Sequence, residues 1–359
     1  MRLKLLRLLC CCDCKSDLSV QKVFTEEQGE IVEGFLNCVK CGREFPIIGG
    51  VPRILPQSLM SSVLRNNAGF FTNYDADVRE SSFGSGINEE DLKKRETMDN
   101  YDFEWNEFSE NYAEWKLNFD EFMSPLKLED FKDKLVLDVG CGFAPHVYQA
   151  AKLGAEVVGM DLSEAVRAAH NNTKGLENVH IVQGDVFNAP FKSEFDLVYS
   201  LGVLHHTPDP EKAFVKQSLL AKSGGLSFTW LYGERKQLAF RIINFVRPVT
   251  RRLPDLANCA LSFLGAALFH VVFVLPYRLL KKAGLKANTR GKYVYWIDHF
   301  EKYPFRVTQA NLFDWLSVPY LKQYSGEQVA KWLESAGLVN KRVVFFEGRD
   351  SWKIFGRRP

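Results

Sequence analysis

Apolar and polar positions change their spacing repeatedly along this chain of 359 residues, and each change marks an element. A short apolar run from Leu135 to Val139 reads as a buried strand; it stops at Gly140-Cys141-Gly142, and helical spacing follows from Pro145. The alternation then repeats. A second strand closes at Asp161, a third runs from His180 to Asp185, and a fourth starts at Phe195. Leu219 to Tyr232 supplies a helix end, a glycine turn and a fifth strand. Strands alternating with helices predict an α/β fold with a parallel sheet. Towards the C-terminus, Gly326 to Gly337 has helical spacing. Lys341 to Glu347 and Ser351 to Phe355 then read as strands joined at Gly348-Arg349-Asp350, a terminal antiparallel hairpin.

Other stretches follow different patterns. Ser58 to Arg95 is polar, glycine-bearing and acidic, which predicts a linker with short helices. Aromatics then recur at 101, 105, 108, 112 and 115, a helical stripe. Such a stripe is usually core; a lid, with Tyr101 and Trp105 over a ligand, is the functional alternative. Gly233 to about Tyr320 is longer than a simple connection requires. Within it, Cys259 to Leu275 is apolar nearly all round: 17 residues, at the bottom of the range for a membrane-spanning helix, interrupted by His270 and ended by Pro276. Arg251, Arg252, Arg278, Lys281 and Lys282 flank it. A buried lid helix is the first expectation. Peripheral membrane contact through residues 256–282 and a true span are the alternatives.

Composition narrows the class of protein. With 46% hydrophobic and 25% charged residues, wholesale disorder is excluded. The 28 phenylalanines hint at an apolar cavity, although aromatic core packing is the commoner cause of such an excess. A net charge of +2 conceals an uneven distribution: Asp75 to Phe131 holds 17 acidic and 6 basic residues, whereas Gly233 to Ala310 holds 14 basic and 4 acidic. The basic zone can attract anionic lipid, phosphate or nucleic acid, although a pI near 8.0 is low for a dedicated nucleic-acid domain.

Six of the eight cysteines are clustered near the N-terminus. Cys11-x-x-Cys14 and Cys38-x-x-Cys41 form two knuckles, 23 residues apart, that supply four thiolates for one tetrahedral zinc ion. Cys10 and Cys12 are spare thiols. Disulfides compete with this reading, but Met1 to Leu9 interleaves Arg2, Lys4 and Arg7 with leucines and is too short and charged for a signal-peptide core. A reducing cytoplasm and a structural zinc are therefore expected together.

The glycine turn carries the chemistry. Gly140 and Gly142 let backbone N–H groups approach a ligand at the next helix N-terminus, and Asp161 follows Gly140 by 21 positions, a spacing from which a carboxylate reaches ribose hydroxyls. Asp161 equally suits a helix cap alongside Ser163. A dinucleotide site would want a third glycine where Pro145 stands. The stretch instead resembles the first motif, D-x-G-x-G-x-G, of class I S-adenosylmethionine-dependent methyltransferases of the small-molecule, ubiquinone-biosynthesis kind. Asp138, Gly140 and Gly142 match, and Ala144 replaces the last glycine, where its methyl group would strain a positive φ. The resemblance continues in order through HIVQGD, FDLVYSLGVLHH and LLAKSGGLSFTWLY, covering roughly residues 131–232 and 324–359.

This resemblance implies a Rossmann-like seven-stranded sheet and S-adenosylmethionine as methyl donor. It implies Asp138 at the methionine amino group, Gly140 and Gly142 beside the cofactor, Asp161 with Leu162 at the ribose, Asp185 with Val186 at the adenine, and Ser200 as a further contact. His206 could serve as general base, as loop anchor or as a cofactor-side contact. From about Leu5 to Leu55, with GFLNCVKCGREFPIIGGVP at its centre, the chain resembles the small zinc-ribbon proteins that activate tRNA and protein methyltransferases. Here the ribbon is fused to its enzyme, either for docking and substrate delivery or as a metal-stapled cap.

The expected organisation is a zinc ribbon over 1–57, an acidic linker and aromatic lid over 58–130, a methyltransferase core over 131–232 and 321–359, and a mostly helical insertion over 233–320. The expected reaction is methyl transfer to a small, apolar or lipid-linked acceptor in the cytoplasm, with membrane association as an alternative. RNA methylation and cofactor binding without catalysis are the alternatives, and no obligate protein partner is evident.

Overall fold

The computed structural model describes residues 1–74, 88–110, 114–234, 238–284 and 292–359. Among these residues, eleven strands form one sheet: β1 (Leu18–Glu27), β2 (Glu30–Cys38), β3 (Glu44–Ile48), β4 (Val51–Ile54), β5 (Leu135–Val139), β6 (Glu156–Asp161), β7 (Val179–Gly184), β8 (Phe195–Leu201), β9 (Ala221–Tyr232), β10 (Val339–Phe346) and β11 (Ser351–Arg357). Their order is β1-β2-β3-β4-β7-β6-β5-β8-β9-β11-β10. The strands from β7 to β9 run parallel, and β11 enters antiparallel between β9 and β10. That is the Rossmann-like seven-stranded arrangement with its terminal hairpin. The sheet has eleven strands because the four ribbon strands continue it.

The join is made by β4, which pairs parallel to β7 with Arg53 opposite Gln183 and Ile54 opposite Gly184. Arg53 is buried at this seam, where its Nη1 donates to Gln183 Oε1 at 2.9 Å and lies 3.2 Å from Glu164 Oε2. Leu5, Leu8 and Leu9 of the ribbon share one apolar cluster with Leu137, Val158 and Val198 of the parallel strands. Left bare, β7 would present a row of unpaired backbone groups at the sheet edge. The ribbon covers that edge and shares the core, which accords with a cap rather than a detached delivery module.

The segment between ribbon and β5 covers the sheet's carboxyl end. Its main helix, Glu89–Glu107, starts because the Asn88 side chain accepts from Asp91 N at 2.8 Å and three acidic residues face the helix's positive end. The helix thus begins inside the stretch expected to be linker, of which residues 75–87 lie outside the described residues. The aromatic stripe is also divided. This helix stops at Glu107, Trp115 opens a second one (Trp115–Met123), and Tyr112 lies outside the described residues.

Within the insertion, helices span Leu238–Thr250, Asp255–Phe269, Leu275–Lys282, Lys292–Glu301 and Phe305–Ser317. Pro276 does not end the apolar helix. A π turn over His270–Val274 absorbs the missing N–H and the bulk of the ring, so helical backbone continues to Lys282. Nor is this helix a buried lid: Leu256, Leu264 and Leu268 are exposed, whereas Asn258, Ser262 and Ala266 face the protein. Arg247 fastens the first insertion helix to the last by donating to the carbonyls of Trp315 (3.0 Å) and Val318 (2.8 Å), which a helix C-terminus leaves unpaired.

Candidate active site

The chain leaves β5 through Gly140 (φ 83°) and Gly142 (φ 52°), left-handed conformations that favour glycine. A Cβ on Gly140 would lie 2.4 Å from Val203 Cγ1, so no larger residue fits. Ala144 adopts φ 68° at the N-cap of the following helix, at a cost of about 1–2 kcal/mol for an L-residue. It is fully buried, and it stands outside the cavity wall. Asp161, at the end of β6, holds the loop in place. Gly142 N donates to its Oδ2 at 2.9 Å, while Ser163 N (2.9 Å) and Ser163 Oγ (2.7 Å) donate to its Oδ1. Asp161 does not cap the following helix, whose N-cap is Glu164; it braces the turn ahead of it, where Ser163 Oγ in turn accepts from Ala165 N at 3.3 Å, and the same carboxylate faces a cavity.

That cavity has a volume of about 260 Å³ and opens at the carboxyl ends of the central strands, where open α/β sheets bind ligands. Gly140, Gly142, Asp161, Leu162, Asp185, Val186 and His206 all line it. Asp138 and Ser200, also expected at the cofactor, lie behind the wall. Ser200 Oγ donates to Val139 O at 2.8 Å, which ties β8 to β5. Asp138 is buried under the loop next to Tyr199; burial raises its carboxyl well above the usual range, and its Oδ2 has no hydrogen-bond partner among the described residues. Alternation along a strand explains the displacement, since successive side chains point to opposite faces.

His206 is anchored in the wall. Its Nδ1 lies 2.6 Å from the Tyr320 carbonyl oxygen, which can only accept, so Nδ1 carries the hydrogen and Nε2 is the basic nitrogen. Its neighbour His205 is fully buried against Tyr232, with ring centroids 4.1 Å apart.

The opposite wall comes from the Glu89–Glu107 helix and the insertion. The Trp105 indole packs over the glycine loop, 3.5 Å from where a Cβ on Gly142 would stand. Lys94 reaches Asp185, with Nζ 2.9 Å from Oδ2, while Asp185 Oδ1 accepts from Phe187 N at 3.0 Å. Tyr101 and Asp314 approach to 3.5 Å between Oη and Oδ1. Glu104 is 1% exposed and its Oε2 has no hydrogen-bond partner among the described residues; burial, then the charge of Asp314, holds its carboxyl well above the usual carboxylate range. Glu104 shares a helical face with Tyr101, Trp105 and Phe108, so a charged residue inside an aromatic stripe was the signal that sequence reasoning passed over. Asp314 carries no comparable signal. Arg349, from the hairpin turn, also lines the cavity, donating to Glu121 Oε2 at 3.2 Å and to the ring of His299, whose pKa burial and this guanidinium push well below its ordinary value.

A second site lies in the ribbon. The sulfurs of Cys11, Cys14, Cys38 and Cys41 all lie within 4.8 Å of one another, with Cys11–Cys41 at 3.8 Å and Cys14–Cys38 at 3.4 Å. Thiolates around one tetrahedral ion at about 2.3 Å stand close to this far apart, and a disulfide bond of about 2.05 Å is much shorter. The donor set fits zinc. Cys10 and Cys12 stay outside it, and Cys12 Sγ faces Asp13 and Arg43 instead.

Strand order, glycine loop and paired acidic strand ends define a Rossmann-like α/β protein with a nucleotide-type site. Residues 137–229 match the methyltransferase domain family, and residues 2–50 match the Trm112p-like protein family, so the chain carries a methyltransferase domain behind a Trm112p-like one. It is similar to the ubiquinone biosynthesis O-methyltransferase of Hydrogenovibrio crunogenus (29% identity, covering 40% of this chain and 64% of the relative). It is likewise similar to that of Azoarcus sp. (34%; 30% and 50%) and to the tRNA U34 carboxymethyltransferase of Pseudoalteromonas translucida (33%; 27% and 32%). The chain therefore spans 64% or less of the length of these relatives.

Proposed function

We propose that this protein is an S-adenosylmethionine-dependent methyltransferase acting on a small, apolar or lipid-linked acceptor, with a structural zinc held by Cys11, Cys14, Cys38 and Cys41. The observation that carries the reading is the meeting of the Gly140–Gly142 loop, Asp161 and Asp185 in one cavity whose other walls are mostly aromatic and apolar. When bound, S-adenosylmethionine supplies an electrophilic sulfonium methyl group. The chain's own residues do the rest. Gly140 and Gly142 admit the cofactor, Asp161 and Leu162 take its ribose, and Asp185 and Val186 take its adenine. Asp138 and Ser200 support the loop from behind, with Asp138 Oδ2 left as an acceptor beneath it. Trp105, Phe108, Phe122 and Trp230 exclude water and orient an apolar acceptor, and orientation is the main lever on a direct methyl transfer. His206 Nε2 is the base for a proton leaving an acceptor hydroxyl, Nδ1 being fixed by Tyr320.

The domain division follows the same reading: ribbon over 1–57, linker and lid over 58–130, core over 131–232 and 321–359, and acceptor-side insertion over 233–320. An RNA acceptor draws on the tRNA-modifying relative and the basic insertion. The exposed surface of that insertion is largely apolar, which favours the small acceptor over a phosphate backbone. Calorimetry on Asp161→Ala tests the site: the variant folds and loses S-adenosylmethionine affinity by at least about tenfold, since it removes both the ribose acceptor and the brace on Gly142. Unchanged affinity overturns the assignment.

A further inference from the structure

The helical run from Asp255 to Lys282 is 28 residues long and is built inside out. Its protein-facing side carries Asn258, Ser262 and Ala266, and its polar groups are used inward: Asn258 donates to Thr250 O, His270 pairs with Thr308 Oγ1 at 2.9 Å, and Tyr277 Oη donates to Asp298. The outward side is apolar. Leu256, Leu264, Leu268, Val271, Leu275 and Leu279 follow one another at helical spacing and are all exposed, Leu256 at 76%. The preceding Leu238–Thr250 helix, tied to the run where Asn258 donates to Thr250 O, also exposes apolar side chains at Ile242, Phe245 and Val249, Phe245 being 84% exposed. A helix in water places its polar side outward; this one reverses the rule from Leu256 to Leu275.

Charge identifies what covers the patch. Exposed Arg251 and Arg252 stand at one end, near half-buried Asp255, and Arg278, Lys281 and Lys282 at the other, where Arg278 and Lys281 also pair with Glu301 and Asp298; from Leu256 to Lys282 the run itself carries no acidic residue. An apolar band rimmed by cations complements an anionic lipid surface, with acyl chains against the band and headgroups against the rim. The packing favours a surface position over a span. The inner side of the run lies along helices carrying Asp298, Glu301, Arg306 and Asp314, which do not enter hydrocarbon beside it.

One helix joins this surface to the cavity. Phe305–Ser317 lines the cavity with Val307, Ala310, Asn311 and Asp314, while Thr308 and Gln309 on its other side bond the apolar run at His270 and Cys259. We propose that the insertion lies in the plane of an anionic phospholipid bilayer, its outward stripe sunk to the headgroup–acyl boundary, so that the acceptor enters from the membrane. The docking stands on the surface alone; the acceptor's route rests on the methyltransferase reading above.

Flotation of the full chain with vesicles tests the docking, using phosphatidylcholine alone and phosphatidylcholine with phosphatidylglycerol, without cofactor. The chain floats with the anionic vesicles and does so less in high salt. Combined Phe245→Ser, Leu264→Ser and Leu268→Ser substitutions reduce the floated fraction at least about tenfold, and Arg251→Gln with Arg252→Gln weakens only the anionic preference. S-adenosylmethionine affinity, measured by calorimetry on the same variants, stays at the wild-type value and shows that they are folded. A wild-type chain that stays with the aqueous fraction overturns the docking, as does a self-association that ignores vesicles and is abolished by the three serines. Vesicle binding without cofactor binding leaves the docking standing and removes the methyltransferase reading.

Discussion

Lys94 Nζ lies 2.9 Å from Asp185 Oδ2, so the lid helix places a buried ammonium on the carboxylate assigned to the adenine. The same ammonium stands 4.5 Å over the Phe187 ring and 3.2 Å from Glu90. On the proposed assignment, lid and nucleoside compete for one acceptor. Lys94→Met frees Asp185, and binding of an adenosyl ligand tightens by about tenfold, while the ligand-free protein loses about 3 kcal/mol because the carboxylate stays buried without its partner. Calorimetry and denaturant melts check the two halves of this prediction. Weaker ligand binding in the variant would mean that Lys94 assists the nucleoside rather than displacing it.

Asp102, on the same helix, gives stability a pH dependence. Its Oδ1 accepts from Glu164 N at 2.6 Å, and burial, with the charge of Glu164 adding to it, raises its pKa from 3.8 to about 7. The folded state therefore holds a proton that the unfolded chain releases above pH 3.8, and stability falls as pH rises from there to about 7. The full linkage for such a shift is about 4 kcal/mol, and partial exposure reduces it to roughly half. Asp102→Asn keeps the oxygen that accepts from Glu164 and removes the titration. Denaturation between pH 4 and pH 8 shows a flatter profile for the variant and about 2 kcal/mol of added stability at pH 8. Parallel profiles for the two proteins would contradict the assignment.

Because β4 completes the edge of β7, the metal site bears on the whole sheet. Cys38→Ser drops bound zinc from one per chain towards zero and lowers Tm by more than about 10 °C, since a structural zinc contributes many kcal/mol to folding and its loss here uncovers a sheet edge. Cys10→Ser retains the metal. Elemental analysis and thermal melts on both variants decide the ligand set, and zinc lost from Cys10→Ser or kept by Cys38→Ser would contradict it.

How much of this was legible in the sequence depends on distance along the chain. The glycine loop, Asp161 and Asp185 lie within 46 consecutive positions, from Gly140 to Asp185, where local patterning carries the information, and all three line the cavity. Pairing of Arg53 with Gln183 does not show in any local pattern, because parallel register between distant segments is set by the assembled core. Periodicity also says that residues 259–275 are apolar on nearly every side without saying what stands against them. The expectation of a buried lid failed there: the small and polar positions Asn258, Ser262 and Ala266 face inward. Asp138 and Ser200 stand behind the cavity wall rather than in it, a matter of one residue of strand alternation.

Incubating the purified chain with S-adenosylmethionine labelled in its methyl group and with cell extract, then separating lipid, RNA, protein and water-soluble fractions, tests the central claim directly. The account predicts label in the organic-extractable fraction, lost in Asp161→Ala and reduced by the three serine substitutions on the apolar stripe. Label confined to RNA, or absent from every fraction, would contradict it.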